Sequence, residues 1–455
     1  MPKLFLLVLL ISISAASYAQ SRSEKVAWLR AHTYRLSDEP TGPINPGTLT
    51  SLDSIFAQKR IIVLSEQNHL DGGTQRAQAT ILKYLYEEHG FDGILLERGI
   101  NATHQAYQDM LARRDSVAGV FMWLLHLNGR YIHLCERQIA NVITASLQKE
   151  DPILLGGINI SERTVYRNAL DSVVLSYLTL KSSGETSAIV QLTKKYLSKV
   201  RSINGNAFYG NDRVVVKTNK ERLRNQMEEI VAFIACSTDS TATAEEILYR
   251  KHLEQGVKAT YYTSLYYIGG CERELLKSEF NPYNRMRDSI MADNMRFYLE
   301  NYPDRKFVVI VSSYHAAKAL PVVTKPYREE KLKPLMSYLA EEYGDDLYSI
   351  GAIYYQGARG DNGLDWRTYR KIKPAKKESI EELLHAAGIQ VGLVDFSSPA
   401  ARESWLNSDQ IMMQHRRMKA PRNWLDMYDA VLYIDEMTPA ELRTDIRRIG
   451  MKQPY

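Results

Sequence analysis

Cysteine is scarce in this 455-residue chain, with only Cys135, Cys236 and Cys271, widely spaced and odd in number. They define neither a disulfide framework nor a zinc cluster, although one pair could close in an oxidising compartment. Excess charge of one sign is also missing: 58 Lys and Arg stand against 53 Asp and Glu, dispersed along the chain. That balance argues against a nucleic-acid partner. Beyond the first 20 residues no apolar run approaches the roughly 20 residues a membrane helix needs. The patterns G-x-S-x-G, H-E-x-x-H and G-x-x-x-x-G-K-[ST] are absent. Serine hydrolases with a nucleophile elbow, zincin proteases and P-loop enzymes are disfavoured accordingly. There is no internal repeat and no long low-complexity linker.

What is present begins with Lys3, the apolar run "LFLLVLLISI" (4–13) and the small-x-small pattern Ser17-Tyr18-Ala19. A run of about ten residues is too short to span a bilayer, so residues 1–19 are predicted to be a cleaved secretory signal and the mature chain to be secreted or periplasmic, off the membrane. The composition, 45% apolar and 24% charged, is that of a soluble globular protein.

Short β-rich runs alternate with helical patterns. "RIIVLSE" (60–66) precedes an amphipathic stretch with Ala77, Ile81, Leu82 and Leu85 at helical spacing and Gly90 as a stop, and "FDGILLERG" (91–99) follows. Strand, helix and strand in about 40 residues form a βαβ unit. Further strands are predicted at 152–159, 306–313, 347–355, 391–396 and 430–435. The expected fold is α/β, a mostly parallel sheet flanked by helices with a large helical insert. Residues 20–161 and 301–455 would form the two parts of the core and 162–300 the insert or cap, within which "RSINGNAFYGNDRVV" (201–215) is predicted to be loose.

Ligands of open parallel sheets bind outside the carboxyl ends of the strands. Glu66 and His69 follow the first predicted strand, Glu97 ends the second, Asn159 the third, and Ser312, Ser313 and His315 the fourth. Single residues of this kind are ordinarily capping or surface groups. Their recurrence at one sheet edge points to a site in which His and carboxylates activate water, directly or through a bound metal ion.

These segments resemble the erythromycin esterase family. Its acid and histidine turn, G-E-x-x-H-G, corresponds to "SEQNHL" with Glu66 and His69, and its G-F-x-x-x-x-x-E segment to "GFDGILLERG" with Glu97. "GGIN" is similar to the family's G-x-D strand end and "RDSIMADNM" to its R-D-x-x-M-A-x-N helix. The resemblance implies a hydrolase cleaving an ester, macrolide lactones being one known substrate class. His69 would be the base, Glu66 or Glu97 would orient it, and His315 would polarise the carbonyl. The family's H-N-x-H becomes Ser312-Ser313-Tyr314-His315 here. A family arginine falls on Gln78, with Arg76 two residues away, and the Asp of G-x-D is Asn159. Gln78, Arg76, Asn159, Ser312, Ser313 and Tyr314 are the candidate substrate-binding positions. No cofactor is expected, although two Glu and two His also suit a divalent metal. A third reading is a non-catalytic binding protein, for haem or a similar ligand, on the same scaffold. The tyrosines of "ATYYTSLYYIGG" (259–270) would either pack the insert or meet a small-molecule substrate. Nothing in the sequence sets the oligomeric state.

Overall fold

The computed structural model describes residues 20–39, 44–68, 71–112, 132–160, 169–182, 184–237, 241–277, 283–320, 333–360, 369–413, 423–440 and 442–443. His69 and the predicted signal lie outside them. The strands are β1 (Thr33–Ser37), β2 (Ile61–Glu66), β3 (Phe91–Gly99), β4 (Ile132–His133), β5 (Leu154–Asn159), β6 (Lys306–Ser312), β7 (Leu347–Gly360), β8 (Tyr369–Ile372), β9 (Val391–Asp395), β10 (Ala430–Met437) and β11 (Leu442–Arg443). Nine of them form one sheet in the order β1-β9-β10-β7-β2-β6-β3-β5, with β8 paired to β7, while β4 and β11 make a separate ribbon.

From β10 to β5 every neighbouring pair is parallel. Only β9, β1 and β8 introduce antiparallel pairing. The parallel strands are near-continuous apolar runs, as in β2, whose Ile61, Ile62, Val63 and Leu64 are all buried, because helices cover both sheet faces. On β10 the two faces separate residue by residue. Ile434 faces the helix Gly72–His89 near Gly73, whereas Asp435 bonds His385 of the helix Ile380–Ala386. Adjacent strand residues point to opposite faces, so these helices flank the sheet from opposite sides. The α/β sheet flanked by helices is as the sequence predicts.

Helices Ala169–Lys181, Ala188–Phe208, Lys220–Cys236 and Ala244–Leu276 share a second apolar core around Val174, Leu197, Ile230 and Val257. Residues 201–215 are not loose. The helix runs on to Phe208, with Ile203 buried and the Asn206 side chain donating to Ser202 O, and a short helix Asp212–Val215 follows the turn. Of the tyrosines in 259–270, Tyr261, Tyr262 and Tyr267 pack on this second core. Cys236 is exposed and Cys271 buried, both as free thiols. Helix Asn284–Asn301 returns the chain to the sheet, where Asn294 Nδ2 donates to Ile158 O at 2.9 Å. Among the described residues no helix is long and apolar enough to cross a membrane.

Candidate active site

The site is built where β3 departs from regular pairing. Between the Leu96–Gly157 and Gly99–Asn159 pairs, β3 carries two residues, Glu97 and Arg98, against the single Ile158 of β5. An extra residue of this kind re-aims a side chain at the end of a strand. Gly157 permits it: a Cβ there would lie 2.5 Å from Gly99 O and 2.7 Å from Arg98 O. This is the physical content of the second glycine in "GGIN".

Glu97 is the hub of a half-hidden charge network. Its Oε1 accepts from Arg287 Nη2 at 2.8 Å and lies 3.3 Å from His315 Nε2, and its Oε2 accepts the Ser312 amide at 2.9 Å. On the far side of the imidazole, Nδ1 sits 2.6 Å from Asp288 Oδ1, which also accepts the Leu335 amide at 2.9 Å. Burial alone would depress the His315 pKa, but the flanking Glu97 and Asp288 carboxylates raise it to about 9. His315 is therefore an imidazolium at neutral pH, 3% exposed, with both nitrogens engaged. The direct carbonyl contact expected of it from sequence is not what this geometry offers.

Arg287 also reaches Asn159 Oδ1, at 3.4 Å from Nε. Burial opposes its charge, and Glu97, Asp288 and Tyr266 hold it there. Its side chain keeps a quarter of its surface exposed, so of the two network cations it is the one open to a ligand. Sequence reasoning singled out "RDSIMADNM" without assigning its first two residues. The usable signal was an Arg-Asp pair at the head of the helix leading into the histidine strand.

Glu66, at the end of β2, is the register partner of Ser312 on β6. One strand separates it from β3, so the two strands that carry Glu66 and Glu97 run roughly 10 Å apart. Gln75 Nε2 donates to Glu66 Oε2 at 3.3 Å, and Gln67 Nε2 donates to Ala352 O of β7 at 2.9 Å. His69 lies outside the described residues. Asp71, which sequence reasoning did not single out, is fully buried beside this turn. Burial, then the Glu66 charge, push its carboxyl up to about 7 against the opposing pull of Arg359 and the Asn68 amide.

The remaining candidates divide. Ser312 enters through its backbone amide, Asn159 through Arg287, and Tyr314 sets its ring edge-on to His315, with centroids 5.2 Å apart. Ser313 is buried against Ser65, Oγ to Oγ 3.0 Å. Gln78 is buried and turned to the β2 backbone, Nε2 to Leu64 O 3.4 Å, and Arg76 is held on Thr438 Oγ1 at 2.5 Å. Ser312, Asn159 and Tyr314 therefore belong to the neighbourhood of Glu97 and His315, whereas Ser313 ties to β2 and Gln78 and Arg76 brace the helix Gly72–His89. Among the described residues no three His, Cys, Asp or Glu groups form a set that could hold a metal ion.

The erythromycin esterase profile matches residues 86–437. YbfO of Bacillus subtilis (strain 168), whose name marks it as a candidate hydrolase, is 22% identical over 452 residues, 96% of each chain. The fold is shared with a crystal structure from Bacillus cereus (TM-score 0.69, 15% identity, 93% of this chain and 100% of that one). It is shared also with a succinoglycan biosynthesis protein (0.64, 14%, 93% and 99%). A mutant of the erythromycin esterase EreC in its open conformation gives 0.62 at 16% identity, covering 90% and 98%. With its parallel sheet, its carboxyl-edge cluster and a family profile spanning most of its length, this chain belongs to the erythromycin esterase family.

Proposed function

We propose that the protein is a hydrolase that cleaves an ester, cyclic esters included, by attack of an activated water. One observation supports it above the others: Glu97, Arg287, His315 and Asp288 converge at the carboxyl edge one strand from Glu66. Two carboxylates and two cations there nearly cancel in charge, and such networks keep an anion fixed in a partly buried place.

In this reading His69 takes a proton from water, the hydroxide adds to the acyl carbon, and collapse of the tetrahedral adduct expels the alkoxide, which takes the proton back. Glu66 stabilises the transient His69 imidazolium. Arg287 faces the developing oxyanion, a role worth a few kcal/mol, while His315 acts through Glu97 by fixing its charge and orientation. The Lys3 to Ala19 pattern supports action outside the cytoplasm.

The test is turnover by the chain from Gln20 of an ester panel that includes a macrolide lactone, with and without chelator, beside H69A. Hydrolysis lost in H69A is the expected result, and the chelator arm reports whether a metal takes part. Turnover no greater than that of H69A, from folded protein, would replace the hydrolase by a ligand-binding protein.

A further inference from the structure

We propose that Asp71 is a positioning residue for hydrolysis: its carboxyl, buried beneath the turn after β2, fixes the backbone that follows Glu66 against the head of the helix Gly72–His89. This rests on the hydrolase reading above and adds a residue to it.

Asp71 stands at the N-cap of an 18-residue helix, yet its side chain makes no capping bond. It turns backwards instead. Asn68 N–H donates to Asp71 Oδ2 at 3.1 Å, and Asp71 N–H donates to Asn68 O at 3.2 Å, closing a reciprocal ring across the turn. The helix head under that ring is itself anchored. Asp71 bridges Pro439, Gly73 N–H donates to Thr438 O at 3.3 Å, and a Cβ on Gly72 would lie 2.5 Å from Pro439 O. Asp71 thus ties the turn to an anchored helix head.

Among the described residues the other oxygen, Oδ1, is buried with no hydrogen-bond partner. A buried orphan oxygen is unfavourable for stability and is uncommon in native proteins. Serine or asparagine would cap the helix without leaving one. The Asp71 carboxyl instead accepts the Asn68 amide, beside Glu66. The charged groups facing it are Glu66 from β2 and Arg359 from β7, and Arg76 of its own helix is held on Thr438. With its pKa pushed to about 7, the group is easily neutral next to the Glu66 anion.

The experiment compares wild type, D71A and D71N for kcat, KM and amide hydrogen exchange, with circular dichroism to confirm folding. D71A removes the acceptor of the Asn68 amide and should lower kcat about 100-fold, the scale of a misplacement near 1 Å, with KM within about threefold. D71N keeps an acceptor oxygen and mimics the neutral acid, so it should recover to within about threefold of wild type. Exchange at Asn68 should rise about 100-fold in D71A and not in D71N, while amides of β2 and β6 stay protected. A folded D71A with kcat within twofold of wild type, or unchanged Asn68 exchange, would overturn the proposal. A wild type without turnover removes the hydrolase reading and the catalytic part of this claim, while exchange still decides whether Asp71 clamps the turn.

Discussion

At the scale of single residues, the sequence shows which groups end strands but not which groups meet. Glu97 and His315 are visible as polar residues after apolar runs, whereas Arg287, 190 positions from Glu97, is tied to it only by the return of the helix Asn284–Asn301 to the sheet. Charge pairing across that distance leaves no local pattern. Its consequence can be measured at Glu97. Glu97→Gln removes the anion shared by Arg287 and His315, so kcat should fall about 100-fold. The His315 pKa should also drop from about 9 toward its ordinary 6.5. A histidine raised on folding contributes stability that is fully present below pH 6.5 and is lost as pH rises through 9. Wild type should therefore lose up to a few kcal/mol between pH 6 and pH 10, and E97Q distinctly less. Equal losses in urea unfolding of the two proteins would show that Glu97 does not hold the imidazolium.

At the scale of elements, buried strands announce themselves because both faces are apolar, and β2, β3, β5, β6, β7, β9 and β10 lie where such runs occur. The strands not predicted are weaker signals for physical reasons. β1 is a five-residue edge strand, β8 is almost wholly exposed, and β4 and β11 have two residues each. Residues 201–208 look loose because Asn and Gly have low helix propensity, but the buried Ile203 and the packing of the insert outweigh it. The bulge at Glu97 depends on register, which strand composition does not encode. Contacts between elements carry their own prediction at Gly72, whose added Cβ would lie 2.5 Å from Pro439 O and 2.7 Å from Ala440 Cα. These are backbone atoms and cannot rotate away. Gly72→Ala should cost about 1–3 kcal/mol and lower kcat through the turn it supports. A denaturation midpoint equal to wild type would mean that the turn and residues 438–440 can separate freely.

At the scale of the whole molecule, chain order conceals the feature that assembles the site. β6 runs between β2 and β3 although some 200 residues separate it from β3 in the chain, and this crossover brings Glu66, Ser312 and Glu97 to one edge. The insert must then be seated on the core, and two histidines lie at that seam. His104 of the helix Ile100–Ala112 stacks on His252 of the helix Ala244–Leu276 with centroids 4.2 Å apart, and His252 meets Phe297 of the helix Asn284–Asn301 edge-on at 4.5 Å. Burial lowers the His104 pKa to about 4 and puts His252 well below its ordinary value. Both rings are neutral in the folded chain and take up protons once it unfolds. In the window from pH 6.5 down to 4 the unfolded state binds more protons, so stability falls as the medium is acidified. For His104 alone the loss is about 2 kcal/mol at pH 5. Urea unfolding of wild type and His104→Gln at pH 7 and pH 5 tests this, because glutamine does not titrate. The wild type should lose about 2 kcal/mol more than the variant across that interval. Identical losses would show that burial does not hold His104 neutral at this seam. A larger loss in wild type, with hydrogen exchange rising first in residues 244–276, would place the seam between insert and core as the first region to yield to acid.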